Sequence, residues 1–367
     1  MNHRFETDRW LFLSTVSLCL IGAVMVFSAS AMTAREQYHS AYFFLIRQAL
    51  WLGFGLLAMF VLMNIDHHML RKPAVIFSGL FLVLVMLLGV FFLDKSHATH
   101  RWIKLGPFGM QPSELAKLAV ILYLAWFLER RMREGAAAVN DIRRTVLPAL
   151  GPVALLSALI ALQPDLGTAV EVFLIALAML FVAGLSIRWI LGALAVVVPI
   201  VVCMILFVPW RMRRLLSYRH PELDPQGNGF QLLQSLIAVG SGGFTGVGLM
   251  ESKQKLFYLP EAHTDFIFAV LCEELGFIGG AIVLGLFAVY AWRGLRAAVE
   301  SIDPFSRLIA LGITAMVTSQ ALINLGVVLG MMPTKGIPLP FISYGGSSLL
   351  VMLIATGVLL NISQQSA

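Results

Sequence analysis

The stretch YLPEAHTDFIFAVLCEELG, residues 258–276, runs from a proline-marked turn into an apolar helix and opens one of the chain's membrane spans. It carries acidic residues at positions 261, 265, 273 and 274. Carboxylates near hydrocarbon cost several kcal/mol unless they face water or a charged partner. These four acids are therefore candidate functional groups, and the rest of the chain has to show what they do.

Composition places the chain in a membrane. Its 367 residues are 59% hydrophobic and 13% charged, with a mean hydropathy of +0.86, whereas soluble domains carry about 25% charged residues. Apolar runs near 20 residues, long enough to cross about 30 Å of hydrocarbon, recur from end to end. We predict an all-α polytopic membrane protein with about ten transmembrane helices. The predicted spans are 10–30, 43–64, 73–93, 112–129, 145–162, 167–185, 188–208, 264–291, 307–331 and 345–363.

The distribution of Lys and Arg predicts that both termini are cytoplasmic. Short loops on the N-terminal side carry the run ERRMREGAAAVNDIRR at 129–144, which sets the topology. The first apolar run ends in FSASA, but it is longer than the apolar core of a signal peptide, so we expect an uncleaved first helix. The other side is also basic, which indicates either an anionic ligand at the outer surface or a solvated loop face. Its basic residues include Arg47, Arg101, Arg211, Arg213, Arg214 and Lys335.

We expect one membrane domain over residues 1–367, with its non-membrane mass between the seventh and eighth helices. The connection at 209–263 is far longer than a usual loop, which indicates a functional or disordered segment. Within it, Phe230, Leu233 and Ile237 fall on one helical face before a run of glycines. The pattern predicts a large extracytoplasmic loop with a short interfacial or re-entrant helix, followed by a close-packed turn.

The segment RWIKLGPFGMQPSELAK, residues 101–117, enters the fourth helix at a proline, a residue suited to the first helical turn. Glu114 and Lys117 have i,i+3 spacing and share one face about one turn inside the membrane. The two could form a structural ion pair, or Lys117 could present a fixed cation to a phosphate in a water-filled cavity. The outer rim would add Arg47, Arg101 and Trp102, each of which could equally be an interfacial anchor.

Two further segments break the apolar pattern. In LQPDLGTA, 162–169, Asp165 stands near the start of a helix, where a carboxylate is favoured as a cap. The segment MMPTKGIPLPFISYGGSSLL, 331–350, packs three prolines and Lys335 between the last two helices. Broken backbone at membrane depth is tolerated where it is buried in protein or lines a cavity, so we expect a structured cavity wall.

The acids of the opening stretch differ in depth. Asp265 lies near the start of the eighth span, where it could be a dipole partner with Thr264 or His263 as the cap, or could meet a substrate at the outer face. Glu273 and Glu274 are eight and nine residues further on, about 12–14 Å deeper at 1.5 Å per residue. We therefore interpret Glu273 and Glu274 as buried polar contacts or groups on a cavity floor, and Asp265 as the candidate catalytic group.

Together these motifs resemble the SEDS family (shape, elongation, division and sporulation), whose members are polytopic peptidoglycan glycosyltransferases. The matching segments are RWIKLGPFGMQPSELAK, QPDLGTA, KLFYLPEAHTDFIFAVLCEELGFIG and PTKGIPLPFISYGGSSLL, which cover essentially the whole membrane core in order. The sequence of these segments resembles the FtsW branch, which acts in division, more than the RodA branch, which acts in elongation.

The resemblance implies that the protein polymerises lipid II into glycan strands at the outer face of the bacterial cytoplasmic membrane, at the division septum. It implies as partners a class B penicillin-binding protein and other membrane proteins of the division machinery, and no nucleic acid. The family's essential aspartate falls on Asp265, and its paired acid and base fall on Glu114 and Lys117. The remaining expected substrate-binding residues are Arg47, Arg101, Trp102, Arg211, Arg213, His263, Lys335 and Ser343.

The chemistry of such a reaction suits this residue set. A diphosphate leaves without help from a general acid, so one carboxylate base and several cations are enough. No His, Cys and acid cluster with metal-ligand spacing appears in the outer segments, although Mg²⁺ or Mn²⁺ held between diphosphate and carboxylate is compatible with it. Two other function classes remain, a flippase for a lipid-linked precursor and a non-enzymatic scaffold for a synthase.

Overall fold

The structure, a computed structural model, describes residues 7–94, 100–105, 108–227, 229–256 and 258–365. These residues form helices joined by short connections, with one antiparallel hairpin of strands β1 (Ile103–Leu105) and β2 (Phe108–Met110). The helices are α1 (Arg9–Tyr38), α2 (Phe43–Asn64), α3 (Pro73–Leu93), α4 (Pro112–Arg133), α5 (Ala136–Val139), α6 (Leu147–Leu162), α7 (Leu166–Val182), α8 (Ile187–Leu206), α9 (Pro209–Arg219), α10 (Phe230–Ser241), α11 (Ile267–Glu300), α12 (Pro304–Val328) and α13 (Gly346–Gln365).

Each of the ten predicted spans corresponds to a helix, and the predicted bounds of α2 and α3 are those observed. Eight of these helices are long and apolar enough to cross a membrane by length and composition. The other two are α4, which is rich in charged residues, and α7, which has 17 residues. The predicted all-α polytopic membrane fold is confirmed.

The helix that carries the eighth span extends beyond the predicted end of that span. Helix α11 continues past residue 291 to Glu300, since its last turns are stabilised by ion pairs outside the apolar run. Arg293 binds Asp8 at 2.6 Å, and Arg296 binds Glu300 at 2.5 Å. A hydropathy pattern marks where a helix leaves hydrocarbon, but it does not mark where the helix ends.

Helix α11 also contains a break that the sequence did not reveal, at Gly276 (φ 64°, ψ −163°). The glycine turn after α10 fills this break, so the backbone groups that the helix leaves free are bonded by protein. Four hydrogen bonds join the two segments: Val247 N–H to Glu273 O at 3.0 Å, Gly248 N–H to Glu274 O at 3.1 Å, Phe277 N–H to Gly243 O at 3.0 Å and Ile278 N–H to Phe244 O at 3.2 Å.

The two deep acids of the opening stretch hold the same loop. Glu274 accepts hydrogen bonds from the Ser28 hydroxyl at 2.6 Å and from the Lys255 ammonium at 2.8 Å. Glu273 accepts one from the Ser252 hydroxyl at 2.5 Å. Both carboxylates are buried. Their interpretation as buried polar contacts is confirmed, and they lock the loop before Asp265 onto α1 and α11.

Gly246, which has φ +83°, lies where the loop packs closely against the break in α11. A Cβ there would lie 2.1 Å from the carbonyl oxygen of Glu274. We expect Gly246→Ala to destabilise the protein by more than the 1–2 kcal/mol or so of a left-handed residue, because the loop must also move away from α11. Thermal unfolding of the purified protein measures this.

Gly240 provides the matched control for this prediction. It lies in α10, and a Cβ there meets nothing within 4 Å. Gly240→Ala should leave the midpoint of unfolding unchanged or raise it, because Ala is the better helix former. Equal midpoints for the two variants would mean that the packing of the loop into the break contributes little.

The connection at 209–263 contains the predicted short helix. Helix α10 packs against α11 and α12, and its Ser235 hydroxyl donates to the Val328 carbonyl at 2.8 Å. Helix α9 precedes it and brings four arginines to the same end of the bundle as the start of α11. The long connection is therefore a structured cover over the end of the bundle where Asp265 lies.

Candidate functional site

Asp265 lies two residues before α11 and is held through its backbone. Its carbonyl accepts a hydrogen bond from the Asn324 side-chain amide at 2.8 Å, and the same amide donates to the Ile337 carbonyl at 2.7 Å. One side chain of α12 thus fixes both the start of α11 and the irregular segment at 329–345. The Asp265 carboxylate remains free to act, since no hydrogen-bond donor reaches it from the described residues.

The surroundings of Asp265 raise its pKa to about 7. Burial is the main cause and the nearby Glu261 carboxylate is the second, whereas Arg101 and Arg214 act in the opposite direction. A carboxyl group with a pKa near the working pH is a suitable general base. Gly336 allows a close approach here, because a Cβ at that position would lie 2.9 Å from Asp265 Oδ2.

Two arginines come close to Asp265 from different parts of the chain. Arg101 is anchored to the turn before α7, where its guanidinium donates to the carbonyls of Gln163, at 3.1 Å, and Pro164. Arg214 of α9 lies over the Trp210 ring, with 5.3 Å between its Cζ and the ring centroid. Desolvation and then Arg101 lower the pKa of Arg214. The Arg214 guanidinium still carries a full charge.

Asp165 and Lys335 complete what we call the Asp265 cluster: Asp265, Arg101, Asp165, Arg214 and Lys335. Asp165 caps α7, as predicted, by accepting hydrogen bonds from the Thr168 N–H at 3.2 Å and hydroxyl at 2.9 Å. Burial lowers the pKa of Lys335, and the Asp165 charge opposes the shift. Three cations and two carboxylates therefore meet at this end of the bundle, which suits an anionic ligand beside a base.

The predicted ion pair of α4 lies deeper. Lys117 Nζ is 3.0 Å from Glu114 and 3.5 Å from Glu171, and it donates to Gln320 Oε1 at 2.5 Å. Its side chain has no exposed area. Glu114 also accepts from the Ser348 hydroxyl at 3.0 Å. The predicted pair facing the bundle interior is confirmed, whereas its role in substrate binding stays a prediction.

Glu171, the third charged member, and the amides that connect the pair to Asp265 were not predicted from the sequence. Glu171 is fully buried in α7, and its charged partner among the described residues is the Lys117 ammonium at 3.5 Å. An acid inside an apolar run was the available signal. Gln320 and Asn324 lie one turn apart on α12, so this helix links Lys117 to Asp265.

Other predicted site residues are held in protein contacts. Arg47 lies over the Phe43 ring at 4.3 Å, and its charge acts on the Tyr344 hydroxyl. Arg211 donates to the carbonyls of Met204, at 3.2 Å, and of Ala161, at 3.5 Å, while Arg213 is exposed. We expected Arg47, Arg101, Lys117 and an arginine of α9 around one cavity. Because the structure groups only Arg101 and Arg214 with Asp265, that common cavity stays a prediction.

Three other predicted site residues, Trp102, His263 and Ser343, take part in hydrogen bonds with main-chain groups. The Trp102 N–H donates to Asp94 Oδ2 at 3.2 Å. The His263 carbonyl accepts from the Tyr344 N–H at 2.9 Å, and burial lowers the pKa of its ring. The Ser343 hydroxyl donates to the Thr264 carbonyl at 2.6 Å. The His263 and Ser343 contacts fasten the turn that carries Asp265, and for all three residues a direct role in binding substrate stays a prediction.

One group of side chains in the described ranges has the geometry of a metal site, Asp66, His67 and His68. It lies at the other end of the bundle from Asp265. Both ring nitrogens of His67 already have protein partners, Asn361 at 2.6 Å and Ser306 at 2.7 Å. These contacts account for the buried His67 as a structural residue that joins α12 and α13.

Comparison with known proteins shows which family the chain belongs to. Residues 9–367 match the family of cell cycle proteins that comprises FtsW, RodA and SpoVE. Stage V sporulation protein E of Bacillus subtilis is 45% identical over 98% of this chain and 97% of its own length. The probable peptidoglycan glycosyltransferase FtsW of Geobacter metallireducens is 43% identical over 97% of this chain and 94% of its own length.

Solved structures agree with the sequence comparisons. A chain described under "Structural coordination of polymerization and crosslinking by a peptidoglycan synthase complex" superposes with a TM-score of 0.77 at 33% identity, over 98% of both chains. The rod shape determining protein RodA of Thermus thermophilus gives 0.69 at 29% identity, over 98% of this chain and 97% of that one. The chain belongs to the FtsW/RodA/SpoVE family, and the family predicted from its motifs is confirmed.

Proposed function

We propose that the protein is a peptidoglycan glycosyltransferase that polymerises lipid II and uses Asp265 as its base. The observation that carries the proposal is one carboxyl group with a pKa raised to about 7 beside Arg101 and Arg214. Peptidoglycan glycosyltransferase is also the name of the FtsW relatives. A base and fixed cations are the two elements that sugar transfer from a lipid diphosphate needs.

These groups account for the bond that forms, the bond that breaks and the proton that is transferred. The 4-hydroxyl of the acceptor's N-acetylglucosamine attacks the anomeric carbon of the donor, and a new C–O bond forms there. The bond from that carbon to the diphosphate oxygen breaks, and the diphosphate leaves with the bonding electrons. Asp265 accepts the hydroxyl proton. Arg101, Arg214 and Lys335 stabilise the charge that develops on the departing diphosphate.

The carboxylate of Asp265 also suits a divalent ion. Asp265 offers hard carboxylate oxygens that no described donor occupies, and Mg²⁺ is commonly held by one or two carboxylates together with substrate phosphates. We propose that Asp265 would hold Mg²⁺ or Mn²⁺ together with the diphosphate of the substrate, and that the ion would supply positive charge for the leaving group.

We place the Asp265 end of the bundle outside the bacterial cytoplasmic membrane and both termini in the cytoplasm. The other end carries Arg71, Arg130, Arg133, Arg143 and Arg144 in short connections or at helix ends, which supports this orientation. A septal role, with a class B penicillin-binding protein and other division proteins as partners, is supported by the FtsW relatives and by the structural neighbour from a synthase complex.

The experiment that tests this function separates strand synthesis from lipid transport. Purified protein is reconstituted in vesicles with fluorescent lipid II, and both glycan product and movement of the label across the bilayer are measured. We expect strands to form on the face that carries Asp265. Movement of intact lipid II without strand formation would identify a flippase instead.

The raised pKa predicts a pH dependence with a definite sign. Asp265 must be ionised to accept a proton, so the polymerisation rate should fall as the pH drops through about 7 and level off above it. Glu261→Gln removes a negative neighbour, which lowers the pKa of Asp265 and moves the acidic limb to lower pH. Initial rates from about pH 5.5 to about pH 8.5 test this.

Glu261→Gln preserves the local turn, since a side-chain amide oxygen can still accept the 2.8 Å hydrogen bond from Thr264. If the acidic limb of the pH–rate profile stays at the same pH in this variant, the group that titrates is not Asp265.

A further inference from the structure

A basic cavity lies at the end of the bundle opposite Asp265. It has a volume of about 440 Å³ and is formed by the α2–α3 connection and the last turns of α4. Arg71, in its wall, is 3.8 Å from Asp303, which precedes α12. The far end of α11 adjoins this point, 34 helical residues from its start, or about 50 Å at 1.5 Å per residue. The cavity is therefore separate from the Asp265 cluster.

The cavity wall is held by a buried acid. Glu129 is 2% exposed, and it binds Arg71 and, at 2.7 Å, Arg133. One carboxylate thus positions two guanidiniums that would otherwise extend freely into water. The preference for Lys and Arg in cytoplasmic loops explains why basic residues lie on this face. It does not explain why they are fixed around a concave surface.

Two further cations in the cavity wall have no anionic partner among the described residues. Arg130 lies over the Trp126 ring, with 4.1 Å between its Cζ and the ring centroid, and Lys72 is exposed. Four cationic side chains therefore line the cavity against one carboxylate, Glu129, which two of them already share. The surplus charge favours an anion.

The floor of the cavity leads to lipid-facing apolar surface. Phe77 of α3 meets the Trp126 ring edge to face, with 5.3 Å between centroids. Phe77 and Phe81 are i,i+4 neighbours with 51% and 66% of their surfaces exposed. A ligand in the cavity can place charge among the basic residues and hydrocarbon against these rings.

We propose that this cavity binds the headgroup of an anionic phospholipid from the leaflet opposite Asp265. The phosphate lies between Lys72 and Arg130, and the acyl chains lie along Phe77 and Phe81. Basic pockets between transmembrane helices at the cytoplasmic surface are suited to anionic headgroups. The proposal does not depend on the reaction assigned to Asp265.

The test uses full-length protein in detergent, titrated with phosphatidylglycerol or with phosphatidylcholine of the same acyl chains, and counts bound lipids by native mass spectrometry. We expect preferential binding of phosphatidylglycerol. Lys72→Ala/Arg130→Ala should weaken it about 30-fold, as expected for the loss of two cations at a membrane surface. Neither residue is buried, so the variant should fold.

The matched control is Arg143→Ala/Arg144→Ala, which removes the same charge from exposed positions outside the cavity wall at the same end of the bundle. It should bind phosphatidylglycerol like the wild type. Equal weakening in both double variants, or no preference over phosphatidylcholine, would overturn the proposal. Displacement of the lipid by inorganic phosphate at similar concentration would also overturn it, because the site would then recognise a free anion.

Discussion

Asp265→Asn should insert normally, keep its partners and lose polymerisation of lipid II by roughly 10²–10⁴-fold. The amide keeps the shape of the carboxylate but cannot accept the proton of the attacking hydroxyl. The backbone hydrogen bond from Asn324 does not involve the side chain, so the turn before α11 should persist. Glycan product from equal amounts of purified protein, resolved on a gel, measures the loss.

Two controls make this loss interpretable. Glu251→Gln removes an exposed acid from the same loop and should leave the rate unchanged. Asp265→Glu keeps a base at altered reach and should retain a trace of activity. Strand synthesis near the wild-type rate by Asp265→Asn would contradict the base assignment and leave Asp265 with the structural role considered for it, at the start of α11.

Lys117→Met should abolish polymerisation by a different route. It leaves Glu114 and Glu171 buried without their cation, at a local cost of about 3–5 kcal/mol. It also removes the donor to Gln320, which itself holds the Pro338 carbonyl at 2.9 Å. We therefore regard Lys117 as a positioning residue and expect a loss of at least about 10²-fold, comparable to removing a stabilising donor.

The double variant Lys117→Met/Glu114→Gln separates positioning from stability. It removes one of the two buried carboxylates that lost their cation, so the midpoint of thermal unfolding should recover in part, whereas the contact to Gln320 stays lost and activity should not return. Recovery of strand synthesis together with stability would show that the ion pair is only structural.

The helices could be predicted because their limits are local. Pro73 begins α3, and the apolar run that follows it fits one membrane crossing. The same reasoning identified Glu114 and Lys117 as a pair, since i,i+3 neighbours on a helix must share a face. Asp265 was identified by its depth along one segment.

The remaining features depend on contacts between distant parts of the chain. The break at Gly276 exists because residues near 246 pack into it, and nothing in the sequence around 276 indicates that partner. Glu171 joins Lys117 from a different helix. Arg101 and Arg214 meet at Asp265 although 113 residues separate them in the chain. Such associations are set by packing of the whole bundle.

The glycosyltransferase assignment is tested by giving the purified wild-type protein lipid II as its only substrate in detergent micelles. No bilayer is present, so lipid transport cannot contribute to the result. One reaction contains the protein alone and a second adds a class B penicillin-binding protein whose transpeptidase is blocked. We predict a ladder of glycan strands that the Asp265→Asn protein does not produce. Intact lipid II in both wild-type reactions, with folded protein, would contradict the assignment of the Asp265 cluster as a glycosyltransferase site.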